Sequence, residues 1–128
     1  MSEPPPLRGV IVSHSAVAEA LVAAVQSITG IDDALVAVSN EGCDYAALAE
    51  RLSEAVGARP AVLFIDLPGG SCLTGAARFA HGQPHLAVVT GVNLAMLLDF
   101  IFHRDVSPAE AARRAAEAGG KAIRLPAA

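Results

Sequence analysis

Three short stretches hold the residues with chemistry in them: Ser13-His14-Ser15, Asp66, and Gly69-Gly70-Ser71. A histidine becomes a nucleophile when one ring nitrogen is held as a proton donor and the other keeps its lone pair. A carboxylate is the usual holder. His14 and Asp66 suit that pairing, with Asp66 accepting from Nδ1–H and Nε2 facing solvent. Positive charge developing on the ring as Nε2 takes a phosphoryl group would be balanced by Asp66. Gly69 and Gly70 ahead of a helix leave backbone N–H groups unobstructed, and Ser71 adds a hydroxyl, so the run suits an anion. Ser13 and Ser15, with the start of the helix after them, are candidate donors from the other side.

Each feature also has an ordinary reading. A histidine after a strand is usually a loop residue, an aspartate there is often a cap, and two glycines can be only a turn. What joins them is the order of elements around them. Val10-Ile11-Val12 is a buried strand that stops at His14, and Val17, Leu21, Val25 and Ile28 then mark a helical stripe closed by Gly30. Leu35–Ser39 is a second strand. Asn40–Asp44 is a polar turn with Asp44 as N-cap, and Tyr45, Leu48, Leu52 and Val56 form the next stripe. Ala61–Ile65 is a third strand, meeting Asp66 at its end, and an Ala-rich helix follows over roughly Cys72–Ala80. Leu86–Val89 is a fourth strand, and Asn93 caps a helix to about Phe102. Ser107-Pro108 opens a last helix that Gly119-Gly120 stops, before a short strand over Lys121–Leu125.

Strands alternating with crossover helices predict an α/β fold, a three-layer α/β/α sandwich on a mostly parallel sheet of order 2-1-3-4. The C-terminal strand is expected antiparallel at an edge. In that order the winding reverses between the first and third strands, so the crevice open sheets use for ligands lies between their carboxyl ends. Those ends carry His14 and Asp66.

Composition narrows the function classes. The chain is 53% hydrophobic but 4% aromatic, which suits Val/Ile strands under Ala/Leu helices. A net charge of −4 with scattered arginines and no basic stripe gives no sign of a nucleic-acid surface, and no nucleic-acid partner is expected. Cys43 and Cys72 make no disulfide framework or metal knuckle, and fit a reducing cytoplasm. Cys72 reads as a small core-facing residue, and His81, His85 and His103 as surface residues. Gly82 and Pro84 spoil a metal pair between His81 and His85. No metal and no cofactor are expected. Without a Walker loop or a carboxylate cluster for Mg²⁺, direct use of ATP is not expected either. The start lacks the basic and apolar regions of a signal peptide. Leu94–Phe102 is far shorter than the ~20 residues that span a bilayer. The domain plan is a flexible tail over residues 1–7 and a single domain over 8–128.

Ile11-Val12-Ser13-His14-Ser15, Asp66-Leu67-Pro68-Gly69-Gly70-Ser71 and Thr90-Gly91-Val92-Asn93-Leu94-Ala95-Met96-Leu97 closely resemble three hallmark segments of the mannose-family IIA components of the bacterial sugar phosphotransferase system. Order and spacing match over nearly the whole chain. The resemblance implies that His14 accepts phosphate from the carrier HPr and passes it to a IIB component. It further implies that Asp66 orients His14, that Ser71 binds the phosphoryl group, and that the protein is a homodimer whose C-terminal strand can exchange between subunits. It implies no membrane insertion, though the protein would work beside a membrane permease complex. The sequence departs from the family where Pro68 replaces a bulky residue, where Cys72 and Ala95 replace proline, and where Ser13 and Ser15 replace glycine neighbours of the histidine. Val12–Ser15 also resembles the phosphocarrier subunit of phosphoenolpyruvate-dependent dihydroxyacetone kinase. Rival readings are that subunit, a regulatory phospho-sensor module without sugar transport, and a ligand-binding domain with no covalent chemistry. Independently, Leu94–Phe102 is apolar nearly all round, which predicts burial on more than one side, one of them a subunit interface.

Overall fold

Strands and helices alternate as the apolar runs and amphipathic stripes require. The structure, a computed structural model, describes residues 6–127. The elements are β1 (Arg8–Ser13), α1 (Val17–Thr29), β2 (Leu35–Ser39), α2 (Tyr45–Val56), β3 (Ala61–Ile65), α3 (Gly70–Ala80), β4 (Leu86–Thr90), α4 (Leu94–Ile101) and α5 (Pro108–Lys121). The four strands are parallel in the order β2-β1-β3-β4. Val12 lies opposite Val38 on one side and Ile65 on the other, so β1, β2 and β3 finish level at their carboxyl ends.

The period of two along each strand divides the core between the faces of the sheet. Ile11, Val62 and Phe64 pack under α1, α4 and α5, while Val10, Val12, Leu63 and Ile65 pack under α2 and α3. Every residue of β3 is buried, which is why its sequence is an unbroken apolar run. Phe64 meets Phe100 of α4 edge-on with ring centroids 5.1 Å apart. Gly9 makes room for both rings, because a Cβ there would lie 2.9 Å from Phe100. Asp44, Asn93 and Ser107 cap α2, α4 and α5, each accepting from the backbone N–H three residues on. Among the described residues no helix is long and apolar enough to cross a membrane.

Three expectations are corrected. The sheet-facing stripe of α1 is Ala18, Leu21, Val22 and Val25, whereas Val17 and Ile28 are 47% and 60% exposed at its margins. Gly119 and Gly120 do not stop α5, which runs through them to Lys121. Gly119 is instead a packing glycine, since a Cβ there would lie 2.3 Å from Cγ of Met96 on α4. The antiparallel edge strand over Lys121–Leu125 does not form. Residues 122–127 are irregular, with Ile123 and Leu125 exposed and the outer edge of β4 unpaired among the described residues. The tail expected over residues 1–7 falls outside the described residues at positions 1–5. Leu7 is already buried, and its N–H donates to the Arg104 carbonyl.

Candidate active site

β1 ends in a turn that lifts His14 out of the strand line. Ser13 is fully buried, and its Oγ accepts from the Ala18 N–H at 2.7 Å and donates to the His14 carbonyl at 3.1 Å. That bond satisfies one of the orphan donors at the start of α1, whose N-cap residue, Ala16, has no side chain to do so. Ser15 takes φ +50°, the one non-glycine residue in the left-handed region among the described residues. The turn closes on a Val17 N–H to His14 carbonyl bond, leaving the His14 side chain 46% exposed.

Asp66 extends β3 by one residue, its N–H donating to the Val12 carbonyl. The side chain therefore points back across the end of β1. Its Oδ2 accepts from the His14 backbone N–H at 2.9 Å and lies 2.8 Å from His14 Nδ1. Oδ1 accepts from the Leu67 N–H at 2.9 Å. Burial pulls the Asp66 carboxyl upward, but the His14 N–H, the His14 ring and the Leu67 N–H together hold it below its ordinary value. The carboxylate is ionised at neutral pH, so the close ring nitrogen, Nδ1, carries the proton and Nε2 keeps its lone pair.

Nε2 faces the start of α3. Gly70, at φ +85°, passes so close that a Cβ on it would lie 4.0 Å from Nε2. Gly69, Gly70 and Ser71 are exposed, and the N–H groups of the first turn of α3 have no intrahelical acceptor. The Ser71 Oγ accepts from Asn40 Nδ2 at 2.9 Å, which leaves the Ser71 hydroxyl hydrogen free to donate outward. The arrangement is a half-exposed imidazole with one nitrogen fixed, facing a helix N-terminus. It can take up a tetrahedral anion and bond to it through Nε2.

The structure brings His14, Asp66, Gly70 and Ser71 together, with Gly69 at the cap. Ser13 is turned inward and spent on the turn, and Ser15 is on the rim. Two neighbours were not read as part of the site. Asn40 follows β2, which flanks β1, and its N–H donates to the Ser13 carbonyl, so the strand order alone places it here. Cys72 is buried as expected, yet its Sγ lies 3.8 Å from His14 Nδ1. Burial first, then the Asp66 charge, pushes its thiol up to about 11, so it stays protonated and is no rival nucleophile. In the Thr90–Leu97 segment the Val92 N–H donates to the Ile65 carbonyl, and Asn93 caps α4. His81 is exposed, and His85 and His103 are half-buried.

Comparison with known proteins agrees with this architecture. The sequence model of one family, described as PTS system fructose IIA component, matches residues 9–117. The solved EIIA component of the phosphotransferase system of Streptococcus agalactiae has a TM-score of 0.85, with 17% identity over 93% of this chain and 96% of its own. The mannose/sorbose specific IIA subunit of Enterococcus faecalis has a TM-score of 0.82, with 26% identity over 97% of each chain. The PTS IIA protein associated with the fucose utilization operon of Streptococcus pneumoniae reaches 0.68, with 17% identity over 91% of this chain and 93% of its own. No curated protein matches the sequence.

Proposed function

The chain belongs to the EIIA-man family of phosphotransferase-system IIA components, and from that premise we propose that it is a phosphohistidine carrier, with His14 taking a phosphoryl group from phospho-HPr and handing it to a IIB component. The observation that carries the proposal is the 2.8 Å contact between His14 Nδ1 and Asp66 Oδ2. It leaves Nε2 as the only nucleophilic nitrogen on an exposed ring.

In the forward step the Nε2 lone pair attacks phosphorus in line, and the bond from phosphorus to the donor imidazole breaks, its electron pair returning to the donor. His14 becomes a phospho-imidazolium whose positive charge faces the Asp66 carboxylate. The phosphoryl oxygens sit against the N-terminus of α3, with Ser71 donating its hydroxyl. Both bonds are of similar kind, so transfer is reversible and needs positioning and charge balance rather than a metal. The reverse chemistry delivers the group to the IIB component.

In this reading the protein works in the cytoplasm beside a permease complex, and its two unpaired cysteines suit a reducing compartment. It acts as a homodimer. Exposed apolar side chains at both ends of α4, Leu94 and Phe102, support a further apolar contact there. The test is incubation with phosphoenolpyruvate, enzyme I and HPr. The expected result is an acid-labile, base-stable adduct on the wild-type chain that His14→Ala lacks. Equal labelling of His14→Ala would remove the proposal.

A further inference from the structure

Cys72 gives the same cleft a second ligand chemistry. His14 Nδ1, an Asp66 carboxylate oxygen and Cys72 Sγ all lie within 4.8 Å of one another. Nδ1 is 3.8 Å from Sγ and 2.8 Å from Oδ2. A tetrahedral zinc ion, with bonds of about 2.0–2.2 Å to nitrogen and oxygen and about 2.3 Å to sulfur, separates its N and S ligands by about 3.6 Å and its N and O ligands by about 3.4 Å. The N–S spacing is already present. The N–O spacing opens by about 0.6 Å, which a small turn of the half-exposed His14 ring provides.

We propose that His14, Asp66 and Cys72 form a binding site for a thiophilic divalent cation, zinc in the first place, and that its occupancy blocks phosphoryl transfer. The atoms and charges balance. The ion takes the Nδ1 lone pair, the single ring proton moves to Nε2, and the Cys72 thiol releases its proton to solvent. A 2+ ion with one carboxylate and one thiolate leaves the cleft neutral, which suits the buried Cys72 and nearly buried Asp66. Three protein ligands leave the fourth position for water on the open side of His14. Magnesium is not expected there, because it demands octahedral oxygen ligands. The block follows from the ring itself: with metal on Nδ1, Nε2 carries the proton and has no lone pair for phosphorus. Binding stands on geometry alone, whereas the block rests on the carrier reading above.

The experiment has two arms. Cobalt(II) is first titrated into the wild-type protein alone. A thiolate-to-cobalt charge-transfer band with tetrahedral d–d absorption, lost on adding zinc and absent from Cys72→Ala, is the expected result. Labelling from isolated phospho-HPr is then timed with and without zinc. At about 90% occupancy the wild-type rate falls about tenfold by mass action, and a chelator restores it. Zinc leaves the rate of Cys72→Ala, compared with its own zinc-free rate, nearly unchanged. Absence of the cobalt band overturns the site, and equal zinc inhibition of Cys72→Ala overturns its link to the block. A band without labelling under either condition overturns the carrier reading and the blocking role together.

Discussion

One carboxylate oxygen of Asp66 accepts both the backbone N–H and the ring Nδ1–H of His14, at 2.9 and 2.8 Å. The same atom therefore sets the turn on which His14 sits and the tautomer in which it reacts. Removing the charge should damage chemistry far more than fold. Asp66→Asn keeps the shape but cannot balance an imidazolium, and labelling should slow by several orders of magnitude, toward the roughly 10⁴-fold scale seen when a catalytic histidine loses its orienting carboxylate. Stability should drop by only about 1–3 kcal/mol, one charge-assisted hydrogen bond. Rapid-quench labelling beside a denaturant melt checks both. Unchanged kinetics would mean that Asp66 has no part in the transfer.

The Asn40 side chain donates to Ser71 Oγ at 2.9 Å and so positions that hydroxyl. Ser71→Ala should slow labelling about tenfold, the loss of one exposed donor to the phosphoryl group. Asn40→Ala should slow it less, and in the Ser71→Ala background it should add nothing. A double-mutant cycle measures this coupling. Additive effects would show that Asn40 touches the phosphoryl group or the donor protein directly.

Ser15 at φ +50° tests the turn that presents His14. Ser15→Gly relieves the backbone but loosens the unfolded chain, and should be neutral to within about 1 kcal/mol. Ser15→Val puts a β-branched residue in the left-handed region and should cost about 1–2 kcal/mol. Thermal melts of the pair give the comparison, and equal melting temperatures would contradict the turn geometry.

Gly119 provides a prediction whose sign is decisive. Helix propensity alone says that Gly119→Ala, inside α5, should stabilise by about 1 kcal/mol. Packing says the opposite, because the added methyl would meet Met96. We expect a loss of about 1–3 kcal/mol from overpacking, read as a lower denaturant midpoint, with the labelling rate of the folded protein unchanged.

Gly119 also marks where sequence reasoning ran out. A local reading sees two glycines ending a helix, and only the approach of α4 explains why α5 continues through them. Lys121–Leu125 suits a strand, with Ile123 and Leu125 in alternation, but in the structure α5 ends at Lys121 and the residues after it are irregular and unpaired with β4. The sheet order was legible, because buried Val/Ile runs separated by amphipathic stripes allow few topologies. The meeting of His14 with Asp66 was legible as its consequence. Ser13 and Asn40 were not, since which way a hydroxyl or an amide turns at a strand end depends on neighbours far away in the chain. Ser13 faces the first turn of α1, while Asn40 reaches across to α3.

The central claim concerns one atom. Phosphorylate the protein with ¹⁵N-labelled histidine from phospho-HPr and record the imidazole ¹H–¹⁵N correlations, which separate the two phosphohistidine isomers. The account predicts a single new spin system, from His14, with phosphorus on Nε2 and Nδ1 still protonated toward Asp66. Phosphorus on Nδ1, on another histidine or on a serine would contradict it.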